Sequence, residues 1–284
     1  MSDEIVRISH TVVQQGPYND RIYVIKLAIR DLPWIIDHLK DIATDKGYSK
    51  IFIKAPASAL GDFLRKGYVM EAHVPRLFSG TEDGFFLAKY LKEVRSHEPK
   101  GEYIREVLSK ALAAAGRHKH ISLAPGYSCH IAADEDAGEL AELYGKVFPS
   151  YPFPISEEGY LKKAMRENTR YFCIRREDII VAASSTEMDH GLRNAEMTDF
   201  ATHPDHRGKK LSAYLLRKME EEMLDEGMKI AYSIARSLSY PINSLFSRAG
   251  YAYGGTLVKN TNICGSFESM NVWHKALNDR ANGG

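Results

Sequence analysis

From residue 127 onward, apolar positions recur with a period of two in some stretches and of three to four in others. Residues 127–133 (YSCHIAA) read as a strand. Residues 134–148 carry Leu140, Leu143, Tyr144 and Val147 at i, i+3, i+4 and i+7, the stripe of an amphipathic helix. A proline-rich aromatic loop (PSYPFPIS) follows, and Ser156, Glu157 and Glu158 open a second helix toward Arg166. Residues 170–175 and 179–188 alternate as a hairpin, and 195–202 form one more strand. Residues 208–226 form the main helix, with Leu211, Leu215 and Met219 on one face. A strand at 230–235, a helix at 241–249 and a closing hairpin of 251–258 with 267–275 complete the chain. This order predicts a mixed sheet with helices, an α/β (α+β) fold.

The string EMTDFATHPDHRGKKLSAYLLR, residues 196–217, runs from strand through a tight basic turn into a helix start. Unpaired N–H groups and the positive end of the helix dipole make such a start a site for a phosphate or pyrophosphate. Gly208 lets the backbone approach closely, and Lys209 and Lys210 add charge. The plain alternative is a capped surface helix with basic residues in its first turn.

The first part of the chain echoes the second. Asp45-Lys-Gly47-Tyr-Ser-Lys50-Ile51 parallels Asp225-Glu-Gly227-Met-Lys229-Ile230, and Phe63-Leu-Arg65-Lys-Gly67-Tyr68 parallels Phe246-Ser-Arg248-Ala-Gly250-Tyr251. Both parts run strand, helix, strand, helix, hairpin. Between Leu27 and Trp34, however, stands only AIRDLP, with no Arg-Gly turn. Residues 93–126, charged and alanine-rich, read as helix plus linker.

Composition narrows the partners. Lys+Arg 38 against Asp+Glu 37 in 284 residues gives a net charge of +1, which offers nucleic acid no broad basic field. No apolar run approaches membrane-spanning length, and MSDEIVRISH lacks the apolar segment of a signal peptide. Cys129, Cys173 and Cys264 are far apart and without CxxC spacing, so they read as free thiols in a reducing cytoplasm. His203 and His206, in H-P-D-H, read as turn residues, and no metal is expected.

Thr202, Pro204, Arg207, Gly208 and Ser212 stand in the register of the acetyl-CoA loop of the GNAT acyltransferases, which this segment resembles; Lys210 departs where that family has glycine. The element order of 127–275 is also that of a GNAT domain. With the tail GGTLVKNTNICGSFESMNVWHK, the whole chain is most similar to the β-lysine N6-acetyltransferase family. The resemblance implies a catalytic GNAT domain at 126–284, preceded at 1–125 by a degenerate half-GNAT-like layer and helical linker without a phosphate site. It implies transfer of acetyl from acetyl-CoA to the ε-amine of β-lysine, giving the compatible solute Nε-acetyl-β-lysine. Another small amine (lysine, a polyamine) and a non-catalytic acyl-CoA sensor stay open. The expected partner is a small-molecule amine, with neither nucleic acid nor membrane; a homodimer is compatible with the sequence.

Under that resemblance Glu196 is the expected base; Phe246 fills the position where the family has a tyrosine, so the proton donor is Tyr253, Tyr251 or no side chain at all. Phe200, Ala201, Thr202, Arg207, Gly208, Lys209, Lys210, Leu211, Ser212 and Asn243 are expected around the cofactor. Tyr151, Asn260, Asn262 and Glu268 are expected around the acceptor. Strand alternation puts Glu196, Thr198, Phe200 and Thr202 on one face and Asp199 on the other, so Glu196 and Asp199 share a face only if a bulge intervenes.

Overall fold

A computed structural model describes residues 3–116 and 121–277. The first half contributes β1 (Glu4–Ile8), β2 (Thr11–Gly16), β3 (Arg21–Lys26), α1 (Trp34–Asp45), β4 (Lys50–Pro56), α2 (Ala57–Arg65), β5 (Val69–Phe78) and β6 (Glu82–Tyr90). After α3 (Gly101–Leu112) come β7 (Tyr127–Ile131), α4 (Ala137–Val147), α5 (Glu158–Arg166), β8 (Thr169–Arg176), β9 (Ile179–Asp189) and β10 (Asn194–Thr202). The chain then forms α6 (Leu211–Asp225), β11 (Ile230–Arg236), α7 (Tyr240–Arg248), β12 (Ala252–Ile263) and β13 (Ser266–Ala276).

These strands form one mixed sheet in the order β1-β2-β3-β4-β6-β5-β12-β13-β11-β10-β9-β8-β7. Only β3–β4 and β10–β11 pair in parallel, and in each case a helix crosses between the two strands. The repeated strings lie at matching helix ends. Gly47, Gly227, Gly67 and Gly250 all have φ between 70 and 82°. Behind them the N–H groups of Tyr48, Met228, Tyr68 and Tyr251 donate to the carbonyls of Ala43, Met223, Phe63 and Phe246 at 2.8–3.1 Å.

The halves join where β5 meets β12, with Ala72 opposite Gly255. A Cβ on Gly255 (φ 145°) would lie 2.2 Å from the Glu71 carbonyl oxygen, so only glycine allows the seam to close. Next to it the buried Lys50 Nζ donates to Glu71 at 2.9 Å and to the Val258 carbonyl at 2.8 Å.

The sheet is strongly curled. Lys54 on β4 and Tyr232 on β11 are five strand spacings apart, about 24 Å in a flat sheet. Nevertheless, Lys54 Nζ donates to the Tyr232 hydroxyl at 2.9 Å. Turn contacts close the curl at both ends, Ser79 N–H to the Leu192 carbonyl (2.6 Å) and Asn262 N–H to Asn19 Oδ1 (2.9 Å). Phe52, Phe86, Tyr232, Leu257 and Met270 pack inside it. Helices α1 and α2 cover the outer face of the first half, while α6 and α7 cover Ala195, Met197 and Trp273 in the second. Helices α4 and α5 pack on the opposite face, over Tyr171, Cys173 and Ala183.

The hairpin β1–β2 lay outside the elements read from the pattern, because β2 buries Gln14 and Gln15 and β1 is largely exposed, which hides the period-two signal. The helix expected from Gly208 begins at Leu211, since Gly208 (φ 78°) and Lys210 (φ 61°) are left-handed.

Candidate active site

Strand β10 pairs with β11 only at Asn194–Ile230, Ala195–Ala231 and Glu196–Tyr232. Beyond those pairs the strands separate, and the edge of β10 from Met197 to Thr202 that faces β11 is left without a partner strand. Glu196 stands at the fork. Its carboxylate accepts hydrogen bonds from the Tyr232 hydroxyl and from the Ile234 backbone N–H, which the parted strands leave free.

Glu187, which sequence reasoning missed, stands opposite Glu196 on β9. Burial pushes the Glu196 carboxyl up to about 7, against the opposing pull of Lys54 and of the Tyr232 hydrogen bond. Glu187, open to water on one side, is also pushed upward, by burial and by the Glu196 charge. No spacing rule links residues 187 and 196; only the antiparallel register does.

The bulge that the alternation argument required is present. Register slips between Thr198–Ser185 and Ala201–Ala183, and Asp199 has φ 55°. The extra residue turns Asp199 to the side of Glu196, where it accepts from Tyr151 (2.5 Å) and Ser185 (2.6 Å) and burial raises its pKa. The same slip sends Phe200 to the other face, edge-on to Phe246 at 5.7 Å, with Thr202 Oγ1 3.2 Å from Ser212 Oγ. Phe200 and Thr202 therefore do not share the face of Glu196, as plain alternation had them. Tyr151 is brought to the cleft by the proline-rich loop, with Tyr160 and Tyr171 nearby; burial, and in part the Asp199 charge, pushes the pKa of all three upward.

The remaining expected residues scatter. Glu268 is buried beneath Arg236, which grips it through Nε (2.9 Å) and Nη2 (2.7 Å). Arg236, on β11 beyond the fork and 32% exposed, is thus the member of the pair that faces solvent. Asn262 ties its hairpin to the first half through Tyr18 and Asn19, and Asn260 is buried with its carbonyl bound by Arg21. Asn243 is fully buried: its amide donates to the Arg236 and Ser239 carbonyls, and its oxygen accepts from Asn271 and Trp273. Those four bonds exhaust its polar groups, which makes it a core residue and leaves nothing for a cofactor. The Tyr253 hydroxyl is engaged with Thr256 at 2.5 Å, and its ring packs on Trp273 in the core under α6 and α7, away from Glu196.

The sequence model described as the acetyltransferase (GNAT) family matches residues 138–251. The β-lysine N(6)-acetyltransferase of Methanococcus maripaludis is 38% identical over 96% of this chain and 98% of its own. The chain belongs to the GNAT acetyltransferase family. It is also 30% identical to the N-acetyltransferase YodP of Bacillus subtilis, over 94% of this chain and 96% of that protein. With the β-lysine N(6)-acetyltransferase of Methanosarcina mazei it shares 32% identity, over 84% of this chain and 95% of the relative.

GNAT acetyltransferases take their acetyl group from acetyl-CoA, and the turn before α6 suits the cofactor's phosphates. Arg207, Gly208, Lys209 and Lys210 are exposed, and nothing lies within 4 Å of a Cβ built on Gly208. The N–H groups of Ala213 and Tyr214 both turn back to the Lys210 carbonyl, so the amides before them lie at the open helix start. Lys210 holds the left-handed conformation without being glycine. Leu211 is buried, so at that position the backbone alone is available to a ligand. His206 is held by the Tyr127 hydroxyl (2.9 Å), and His203 Nδ1 accepts from the Asp205 N–H (3.4 Å).

Proposed function

We propose that this protein transfers acetyl from acetyl-CoA to the ε-amine of β-lysine, forming the compatible solute Nε-acetyl-β-lysine in the cytoplasm. The observation that carries the reading is the 38% identity to a β-lysine N(6)-acetyltransferase across almost the whole of both chains. The chemistry of the cleft supports it. Glu187, Glu196 and Asp199 around Lys54 favour an acceptor with two ammonium groups, and Arg236, oriented by Glu268, suits a carboxylate.

In this reading Glu196 takes a proton from the ε-ammonium, and the neutral nitrogen attacks the thioester carbonyl. Backbone amides of β10 along the fork polarise that carbonyl, and the turn from Arg207 to Ser212 holds the cofactor's phosphates. Collapse of the tetrahedral intermediate breaks the carbon–sulfur bond; the second nitrogen proton leaves, and the thiolate ends as CoA thiol. Phe246 donates nothing, and the thiolate departs without a side-chain acid, as a group of pKa about 8.5 can.

Thiol release from acetyl-CoA, followed with β-lysine, lysine and spermidine, tests this. β-Lysine is expected to have the highest kcat/KM, with lysine intermediate. Equal values for the three would remove the substrate assignment, and no release with any of them would favour an acyl-CoA-binding role.

A further inference from the structure

Tyr23 of β3 occupies in the first half the place that Glu196 has in the second, because Arg21 pairs with Lys50 as Asn194 pairs with Ile230. Phe52 likewise matches Tyr232. Tyr23, Phe52 and Phe86 pack together with ring centroids 4.9–6.0 Å apart and fill what would be the equivalent cleft. The place in the first half that corresponds to the Glu196 cleft is therefore closed by aromatic rings. What the first half does send across the curl is Lys54, whose Nζ donates to the Tyr232 hydroxyl and lies 4.9 Å above the Tyr232 ring. The Tyr232 hydroxyl in turn donates to Glu196.

We propose that Lys54 of the N-terminal half is a positioning residue of the catalytic site: through the chain Lys54–Tyr232–Glu196 it keeps the base ionised. The inference rests on Glu196 being the base. The groups that face Glu196 are Glu187 on β9, Asp199 on β10, Tyr232 on β11, Tyr23 on β3 and Lys54 on β4, and Lys54 in turn has Asp189 on β9 and Lys26 on β3 around it. Lys26 lies 3.9 Å from Asp189 with its side chain largely in water, so Lys54 is the enclosed cation of the set. Burial lowers the Lys54 pKa and the surrounding carboxylates oppose that, so ammonium and carboxylate sustain one another. A GNAT domain cut from this chain would lack that cation.

The test compares wild-type protein, Lys54→Met and Lys54→Arg in two measurements. One is carbon-13 NMR titration of the Glu196 carboxyl, identified by the resonance lost in Glu196→Gln; the other is the pH profile of kcat/KM. Lys54→Met is expected to move both midpoints up by about one pH unit, and Lys54→Arg to restore most of that. Tyr232→Phe should shift them in the same direction, and it supplies the answer if Lys54→Met fails to fold. Unmoved Glu196 titration in folded variants overturns the inference. If the NMR midpoint moves and the rate profile does not, Lys54 still tunes Glu196, and the assignment of Glu196 as base is what fails.

Discussion

Glu187 lies directly across the β9–β10 ladder from Glu196, with both side chains on the cleft face. Two carboxylates so placed resist joint ionisation, and an arriving ammonium relieves the conflict. Replacing Glu187 with Gln should move the acid limb of the rate profile to lower pH, because Glu196 loses a neighbouring negative charge. KM for a diamine should rise roughly tenfold, equivalent to ~1.4 kcal/mol. Steady-state kinetics between pH 5 and 9 would register both.

In the proposed mechanism Glu196 is the base, and Glu196→Gln keeps its shape while removing its proton affinity. Turnover should fall by roughly 10²–10⁴ with CoA affinity nearly unchanged. In the wild type, activity should rise as pH passes upward through about 7, where Glu196 loses its proton. That limb should be absent from the variant, and wild-type turnover would pass the role to Asp199, Glu187 or water.

Lys210 at φ 61° carries the strain of a side chain in the left-handed region, of order 1 kcal/mol. Lys210→Gly should therefore melt no lower than the wild type, despite the usual cost of glycine. If the ammonium reaches a phosphate, CoA should bind the variant more weakly, most visibly at low salt. Calorimetry in two salt concentrations separates the effects.

Arg236→Gln leaves the buried Glu268 without its cation. The acceptor constant for β-lysine should rise while that for pentylamine, which has no carboxylate, stays put. Pentylamine should already be the poorer substrate, by a factor that can reach ~10⁴, since the polar groups meant for the inner ammonium and carboxylate go unpaired. A parallel loss for both amines would point to collapse of the strand rather than loss of an anchor.

Asn243→Ala strips partners from Trp273 Nε1, Asn271 Nδ2 and two backbone carbonyls. Destabilisation of roughly 2–4 kcal/mol should appear in denaturant unfolding. KM for acetyl-CoA in the folded fraction should be unaltered; a selective loss of cofactor affinity with normal stability would return Asn243 to the pantetheine arm.

The element order from residue 127 onward, the turn before α6 and the echo at the helix ends were legible because they depend on local chemistry: period, glycine, charge and chain direction. The place of Glu196 in the strand that enters that turn was legible too, although its proposed role came from the family resemblance. What sequence alone left undecided was which side chains meet across the strands. Whether Glu196 and Asp199 share a face depended on one extra residue at a bulge. Glu187 became a neighbour through antiparallel register, and Arg236 took over the surface assigned to Glu268 because the ion pair buries the acid. Lys54 lies 142 residues before Glu196 and reaches it through Tyr232 only because the sheet curls back on itself. Local propensities fix which elements form, whereas the curl, the register and the seam at Gly255 are settled by packing among residues far apart in the chain, and those choices bring the cleft together.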